Sequence, residues 1–372
     1  MKNKIYIYSL SLLFLLILPI KGFCLEKDFI FKAKVVEILE EKSMASDEGI
    51  ENIKQNIKLI GLEGPLKDEN FVFYGVNNLD VIGQRSYSPG ERVLVTASFN
   101  SSDNSYNYYI TDYIRNNSLL FLLFLFLFFL ILIGHWKGFR SILSLGLTFI
   151  VIIFFIIPKI MAGFNPVFIT ALGALFILFF IIYLTEGLNI RSHLAVFSTF
   201  ISLILVIIIS YLFIYLTKLS GAFSEDVFIL INIGQQSVNL KGLLLAGMII
   251  GSLGVLDDVI ISQTASVEQI MLTDPYQNWK EVFKKAYKIG ISHISSMTNT
   301  LFLAYAGASL PLLILFISPD SPFNSFEQII NNEAVSTEIV RALSGSLGIV
   351  LAVPIATIVA VWGFFLKKRK AN

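Results

Sequence analysis

Along this chain apolar residues gather into long runs divided by short polar stretches, and one mixed segment interrupts the pattern near the amino terminus. A spanning helix needs about 20 apolar residues to cross a hydrocarbon core of ~30 Å. Eight stretches meet that requirement, at 5–23, 117–135, 141–161, 167–185, 193–216, 242–262, 291–317 and 342–366. The pattern therefore predicts a polytopic α-helical membrane protein. The first stretch (residues 1–25) reads as an uncleaved anchor, because Ile5 to Ile20 is one nearly continuous apolar run. A cleaved signal peptide is the alternative, with Lys2 and Lys4 ahead of the run and small residues near Gly22. Lys21 stands where a lipoprotein box before Cys24 needs a Leu-like residue.

Residues 26–116 have a different texture. The segments 29–38, 52–61, 70–76, 91–99 and 107–114 alternate apolar and polar positions and are rich in Val, Ile, Phe and Tyr. Turn-forming clusters such as "EGP", "SPGE" and "NSSDNS" separate them. Five short strands of this kind predict a small all-β domain, an OB- or SH3-like barrel, with a plain β-sandwich as the alternative. Residues 117–372 then form a membrane domain of seven helices.

Composition agrees with the pattern. The chain is 55% hydrophobic and 15% charged, against roughly 45–50% and 25% in soluble proteins, and its mean hydropathy is +0.73. A net charge of +1 gives no basis for nucleic-acid binding, so the expected partner is the lipid bilayer, joined by a related membrane subunit or further copies of the chain. The basic residues report orientation instead. With the amino terminus inside, the cytoplasmic ends and loops hold Lys2, Lys4, Lys137, Arg140, Arg191, Lys280, Lys284, Lys285, Lys288, Lys367, Lys368, Arg369 and Lys370, and the outer short loops hold only Lys159, Lys218, Lys241 and Arg341. Both termini are then cytoplasmic and residues 26–116 lie outside.

The chemistry concentrates in "GSLGVLDDVIIS", residues 251–262, where two aspartates interrupt an apolar run. A charged side chain at the bilayer centre costs ~2.5–3.5 kcal/mol on insertion scales, so such residues are usually functional. Gly247, Gly251, Gly254, Asp258 and Ser262 are spaced by four, three, four and four residues. At ~100° per residue they share one helix face. Small residues at this spacing let membrane helices approach closely, so Asp258 is expected to point into the bundle, with Asp257 rotated away from it. Ser262, Gln263, Thr264, Ser266 and Glu268 continue a polar track toward the cytoplasm, as an ion or proton path requires. The competing reading is a pair that caps or snorkels near the interface.

The next helix offers partners. His293, Ser296, Asn299 and Thr300 stand at its polar end, and a hairpin through the basic segment 274–290 brings them beside the aspartates, where Asn299, Ser296 or Thr300 can donate hydrogen bonds. Two adjacent carboxylates do not both ionise readily at low dielectric, which suits a site that takes up and releases a proton. Pro311 is expected to kink this helix. No Walker motif, nucleophile elbow, HExxH or cysteine pair is present. The chain reads as a non-enzyme with no cofactor and no metal site.

"GSLGVLDDVIISQ", followed by "GISHISSMTNTLFLAYAGASLPLLI" and preceded by an outer β-rich segment, resembles the YibE/F-like bacterial membrane proteins over essentially the whole chain. The resemblance implies a multipass plasma-membrane protein and brings no established activity with it. More loosely, the last five helices are similar to SecD/SecF and RND-type proteins, whose core carries G-x-x-x-D where this chain has Gly254 to Asp258. That similarity implies a proton-carrying role for Asp258. The chain differs from that pattern in the helix pair 117–161 and in pairing no intramembrane Arg with the acid. Two functions follow as expectations: a proton- or cation-coupled transporter or translocation accessory, and a non-transporting scaffold whose outer domain binds an envelope partner.

Overall fold

The computed structural model describes residues 29–45, 51–76, 86–100, 105–222, 226–227, 229–230, 239–318 and 323–371. The expected first span, 5–23, lies outside them. The described residues divide into two compact units, one ending at Leu130 and one running from Ile131 onward.

The first unit is built on five antiparallel strands, β1 (Phe29–Ala45), β2 (Glu51–Gly61), β3 (Asn70–Tyr74), β4 (Arg92–Asn100) and β5 (Ser105–Tyr113), in the order β3-β2-β1-β4-β5. All five expected strands are present, with β1 seven residues longer than its apolar alternation implied. β1 is the shared strand. Its first half pairs with β4 (Phe31 opposite Val95) and its second half with β2, with register shifts between Val35 and Glu37 and between Ile38 and Glu40. Such bulges bend a strand and increase its twist. The inward set of every strand follows the two-residue period: Phe31, Ala33 and Val35 on β1, Ile57 and Leu59 on β2, Phe71 and Phe73 on β3, and Val93, Val95 and Ala97 on β4 are buried together. The curl brings the two edge strands together, with the Phe71 and Tyr108 rings 4.7 Å apart. Two buried amides fasten the connecting segments. Gln55 accepts from the Tyr87 N–H at 2.7 Å and donates to Glu41, while Asn56 accepts from the Val76 N–H at 3.1 Å and donates to Glu40.

The helices are α1 (Asn116–Val151), a π-helical turn (Ile152–Ile156), α2 (Ile157–Met161), α3 (Pro166–Glu186), α4 (Ile190–Leu216), α5 (Leu240–Thr273), α6 (Trp279–Ala308), α7 (Leu310–Ile317), α8 (Phe326–Asn331) and α9 (Glu333–Ala371). Asparagines start four of them. Asn165, Asn189, Asn239 and Asn278 each accept a hydrogen bond from a first-turn N–H of α3, α4, α5 and α6. Among the described residues five helices are long and apolar enough to cross a membrane, or six when α6 and α7, bent by 70°, count as one span. The bend falls at Ser309, and Pro311 occupies the first turn of α7, where a missing N–H is tolerated.

One expectation changes form. The expected spans 117–135 and 141–161 both fall within the helical residues Asn116–Met161, with a kink where a connecting loop was expected. The backbone leaves helical geometry at His135 (φ 46°, ψ −127°). The polar stretch "GHWKG" is thus where two helices meet at a kink, in place of a loop between the two expected spans.

In the helical unit α5 is central and packs on α3, α4, α6 and α9. Its Leu253, Leu256 and Ile260 join Leu203 and Val206 of α4 and Ala352 of α9 in one core. Close approach relies on glycines of the neighbouring helices. A Cβ on Gly290 of α6 would lie 2.3 Å from Val353 Cγ1 of α9. By contrast, nothing lies within 4 Å of a Cβ placed on Gly247 or Gly254. These two glycines, expected at a helix contact, make none among the described residues, because α5 meets its partners through other positions. Gly290→Ala is therefore expected to destabilise the helical unit by about 1–3 kcal/mol through overpacking, whereas Gly254→Ala is expected to be neutral or slightly stabilising. Thermal unfolding of the two variants in detergent checks the contrast.

Candidate functional site

The rotation of α5 decides what the aspartates face. Gln263 is 1% exposed; its amide donates at 2.8 Å both to the Ala286 carbonyl of α6 and to Thr357 Oγ1 of α9. At ~100° per residue Asp257 lies ~120° to one side of Gln263 and Asp258 ~140° to the other. Asp257 shares its side of the helix with Leu253 and Ile260 of the main core and is 7% exposed. Asp258 shares its side with Gly247, Gly251 and Gly254, and all four are exposed.

This reverses the expected arrangement. Gly247, Gly254 and Asp258 mark an open strip of α5, whereas Gly251 beside them is approached by the Tyr305 hydroxyl of α6, and the buried carboxylate is Asp257, one residue away. The physical reason is that small residues permit close packing without producing it. The leucine and isoleucine side of α5 is wider and is already covered by α3, α4 and α9.

Asp257 Oδ1 accepts from the Asp258 N–H at 3.0 Å. Among the described residues neither carboxylate has an ion pair, and neither is hydrogen-bonded to Ser296, Asn299 or Thr300. Those three side chains lie exposed on α6, and Thr300 Oγ1 donates instead to the Ser296 carbonyl of its own helix. The expected hydrogen-bond partners therefore stay on their own helix face. They form, with the Asp258 side of α5, exposed polar surface on two helices that pack together.

The polar track along α5 divides in two. Ser262, one turn from Asp258, lies 3.3 Å from His293 Nδ1 of α6, and Ser266 Oγ donates to the Ser262 carbonyl. Glu268, ten residues from Asp258 and hence ~15 Å along the helix, pairs with Arg191 at 3.2 Å. Arg191 also pairs with Glu186, and Lys137 lies 3.9 Å from that carboxylate. Gln263 leaves this line altogether, since it is the bridge to α6 and α9.

Three features were missed from sequence. The half-buried Arg191 couples the end of α3, the start of α4 and α5; its proximity to Glu186 was visible, but Glu268 is 77 residues away. Arg341, expected in an outer loop, lies inside α9 and donates to Glu338 at 2.7 Å. Tyr305 of α6 reaches α5, where a Cβ on Gly251 would stand 3.1 Å from its hydroxyl. A phenol has no motif that reveals such a contact.

A family model described as YibE/F-like protein matches residues 122–366. No curated protein and no solved structure matches the chain.

Replacing Gln263 with Ala removes two buried interhelical hydrogen bonds and is expected to cost about 1–2 kcal/mol. Asn299→Ala, on the exposed face, is expected to stay within about 0.5 kcal/mol. Unfolding midpoints of the purified variants distinguish the two.

Proposed function

We propose, for a chain that belongs to the YibE/F-like family, a proton- or cation-coupled transporter or translocation accessory in which the Asp257/Asp258 pair carries the ion. The observation that supports this is a buried carboxylate without a cationic partner among the described residues, directly beside a second one on an open polar face. A charge in such a position is costly, and an arrangement kept only for packing would favour apolar residues. Asp258 exchanges the ion at the open face, and Asp257 tunes it from the bundle side. Ser262 and His293 continue the route toward the ion-pair cluster of Glu268, Arg191 and Glu186. Exposed Ser296, Asn299 and Thr300 either line a wetted cleft or are covered by a related membrane subunit. The mechanism is non-enzymatic and calls for no cofactor.

The Lys/Arg distribution supports a bacterial plasma-membrane location with residues 26–116 outside the cell and both chain ends in the cytoplasm. The strand order and the meeting of the edge strands support a small, partly open OB-type barrel for the outer domain.

A second reading has its own observation. Ile30, Leu39 and Tyr74 are exposed on β1 and β3, which suits an outer domain that binds an envelope partner, with the aspartates serving helix packing alone.

Proton flux in proteoliposomes under an imposed pH gradient separates the two. Coupling predicts flux in the wild type that Asp258→Asn abolishes and Asp257→Asn reduces at least tenfold, a change of ~1.4 kcal/mol in barrier. Flux unchanged in both variants rules out the aspartates as carriers. Absence of flux in every protein, with unaltered unfolding midpoints, favours the scaffold.

A further inference from the structure

At one end of the helical unit an apolar groove of about 420 Å³ lies between the start of α6 and the end of α9, with Trp279, Phe283, Ile358, Trp362, Leu366 and Arg369 in its lining. Along α9 this lining runs from Arg369 back to Ile358, eleven residues (369 − 358), or ~16 Å at ~1.5 Å per residue. That is about half of a ~30 Å hydrocarbon core, the depth of one leaflet. Tryptophan at the rim and a cation at the mouth are the pattern of a membrane–water boundary.

Arg369 lines the groove, and the two helix segments that form it are rich in further basic residues. Lys280, Lys284, Lys285 and Lys288 of α6 and Lys367, Lys368 and Arg369 of α9 face a single acid in the same two segments, Glu281. Some of these cations are held elsewhere. Lys368 donates to the Pro275 carbonyl and covers the Tyr276 ring, and Lys285 donates to Gln277 at 3.0 Å. Arg369 and Lys280 have no carboxylate partner among the described residues, and the Lys280 ammonium sits 5.7 Å from the centroid of Trp279, in the groove wall. An apolar slot about one leaflet long, with Arg369 in its lining and Lys280 beside its Trp279 wall, has the chemistry of a single anionic lipid: acyl chain inside, phosphate against the cations.

We propose that this groove is a specific site for an anionic phospholipid, with its acyl chain along Trp362 and Phe283 and its phosphate paired with Arg369 and Lys280. The site stands apart from the aspartate pair and does not depend on the transport reading.

Native mass spectrometry of the detergent-solubilised full chain tests it, with phosphatidylglycerol or phosphatidylcholine of identical acyl chains added at equal concentration. The wild type is expected to retain phosphatidylglycerol preferentially. Arg369→Gln and Lys280→Gln are each expected to weaken that retention roughly fivefold without affecting phosphatidylcholine, and Trp362→Ala to lower retention of both lipids. Lys159→Gln/Lys218→Gln, which removes basic residues elsewhere in the chain, is expected to leave retention unchanged. Equal retention of the two lipids by the wild type overturns the proposal. So does a preference that survives Arg369→Gln/Lys280→Gln, or one that falls as far in the Lys159/Lys218 control. Circular dichroism melting of each variant confirms that a lost preference comes from folded protein.

Discussion

The helical unit depends on the amide of Gln263. Within a membrane there is little hydrophobic drive for one helix to prefer another over lipid, so packing and the rare interhelical hydrogen bond fix orientation. Gln263 supplies that bond twice, to a backbone carbonyl of α6 and to a hydroxyl of α9. The approach it requires is close enough that a Cβ on Gly290 would lie 3.0 Å from the Gln263 Oε1 as well as against Val353. Once that side of α5 is held, the remaining positions are fixed by helical geometry. Leu253, Asp257 and Ile260 turn into the core, and Gly251, Gly254 and Asp258 turn out of it.

This also explains which parts of the structure could be read from the residues. Strands announced themselves locally, because half-buried sheets impose a two-residue alternation on each segment and turns carry their own residue types. The five strands were therefore visible in order, although their pairing was not; β1 meeting both β2 and β4 depends on bulges near Val35 and Ile38 that no apolar pattern encodes. Apolar length likewise gave the helices. It did not give their rotation, since a helix such as α5, apolar on most sides, has no single stripe that points to the core. The glycine stripe was the strongest local signal available and indicated the open face instead of the packed one. The buried carboxylate, the exposed one and the interhelical amide all lie within seven residues at that stripe's end, 257–263.

Helix length adds a second constraint. α5 and α9, with 34 and 39 residues, extend to ~51 and ~58 Å, well beyond a hydrocarbon core of ~30 Å. Their ends must therefore stand in water or headgroups, and the charges follow. Glu268 with Arg191 lies near one end of α5, the basic run 367–370 closes α9, and Glu333 at its start accepts from the N–H groups of Ser220 and Gly221. Three buried hydroxyls near the start of α4 are satisfied within their own helix. Ser198, Thr199 and Ser202 of α4 each donate to a carbonyl four residues back, so their hydroxyls need no partner on another helix.

Against that background the aspartate pair stands out, since it interrupts the apolar length of α5 with a buried carboxylate that accepts only a neighbouring N–H and meets no cation among the described residues. Adjacent positions on a helix diverge by ~100°, and here that small divergence separates a carboxylate inside the bundle from one on an open face. The two share a peptide bond, so a change of charge on one acts on the other at short range in a medium of low dielectric. On the proposed reading, an ion arriving at Asp258 would change the electrostatic state of the core through Asp257 without any displacement of α5. A single aspartate on either face would lack one half of this arrangement: buried alone it has no open approach, and exposed alone it exerts little on the packed side. The adjacency of Asp257 and Asp258, and not the glycine spacing before them, is therefore the sequence feature with mechanistic content.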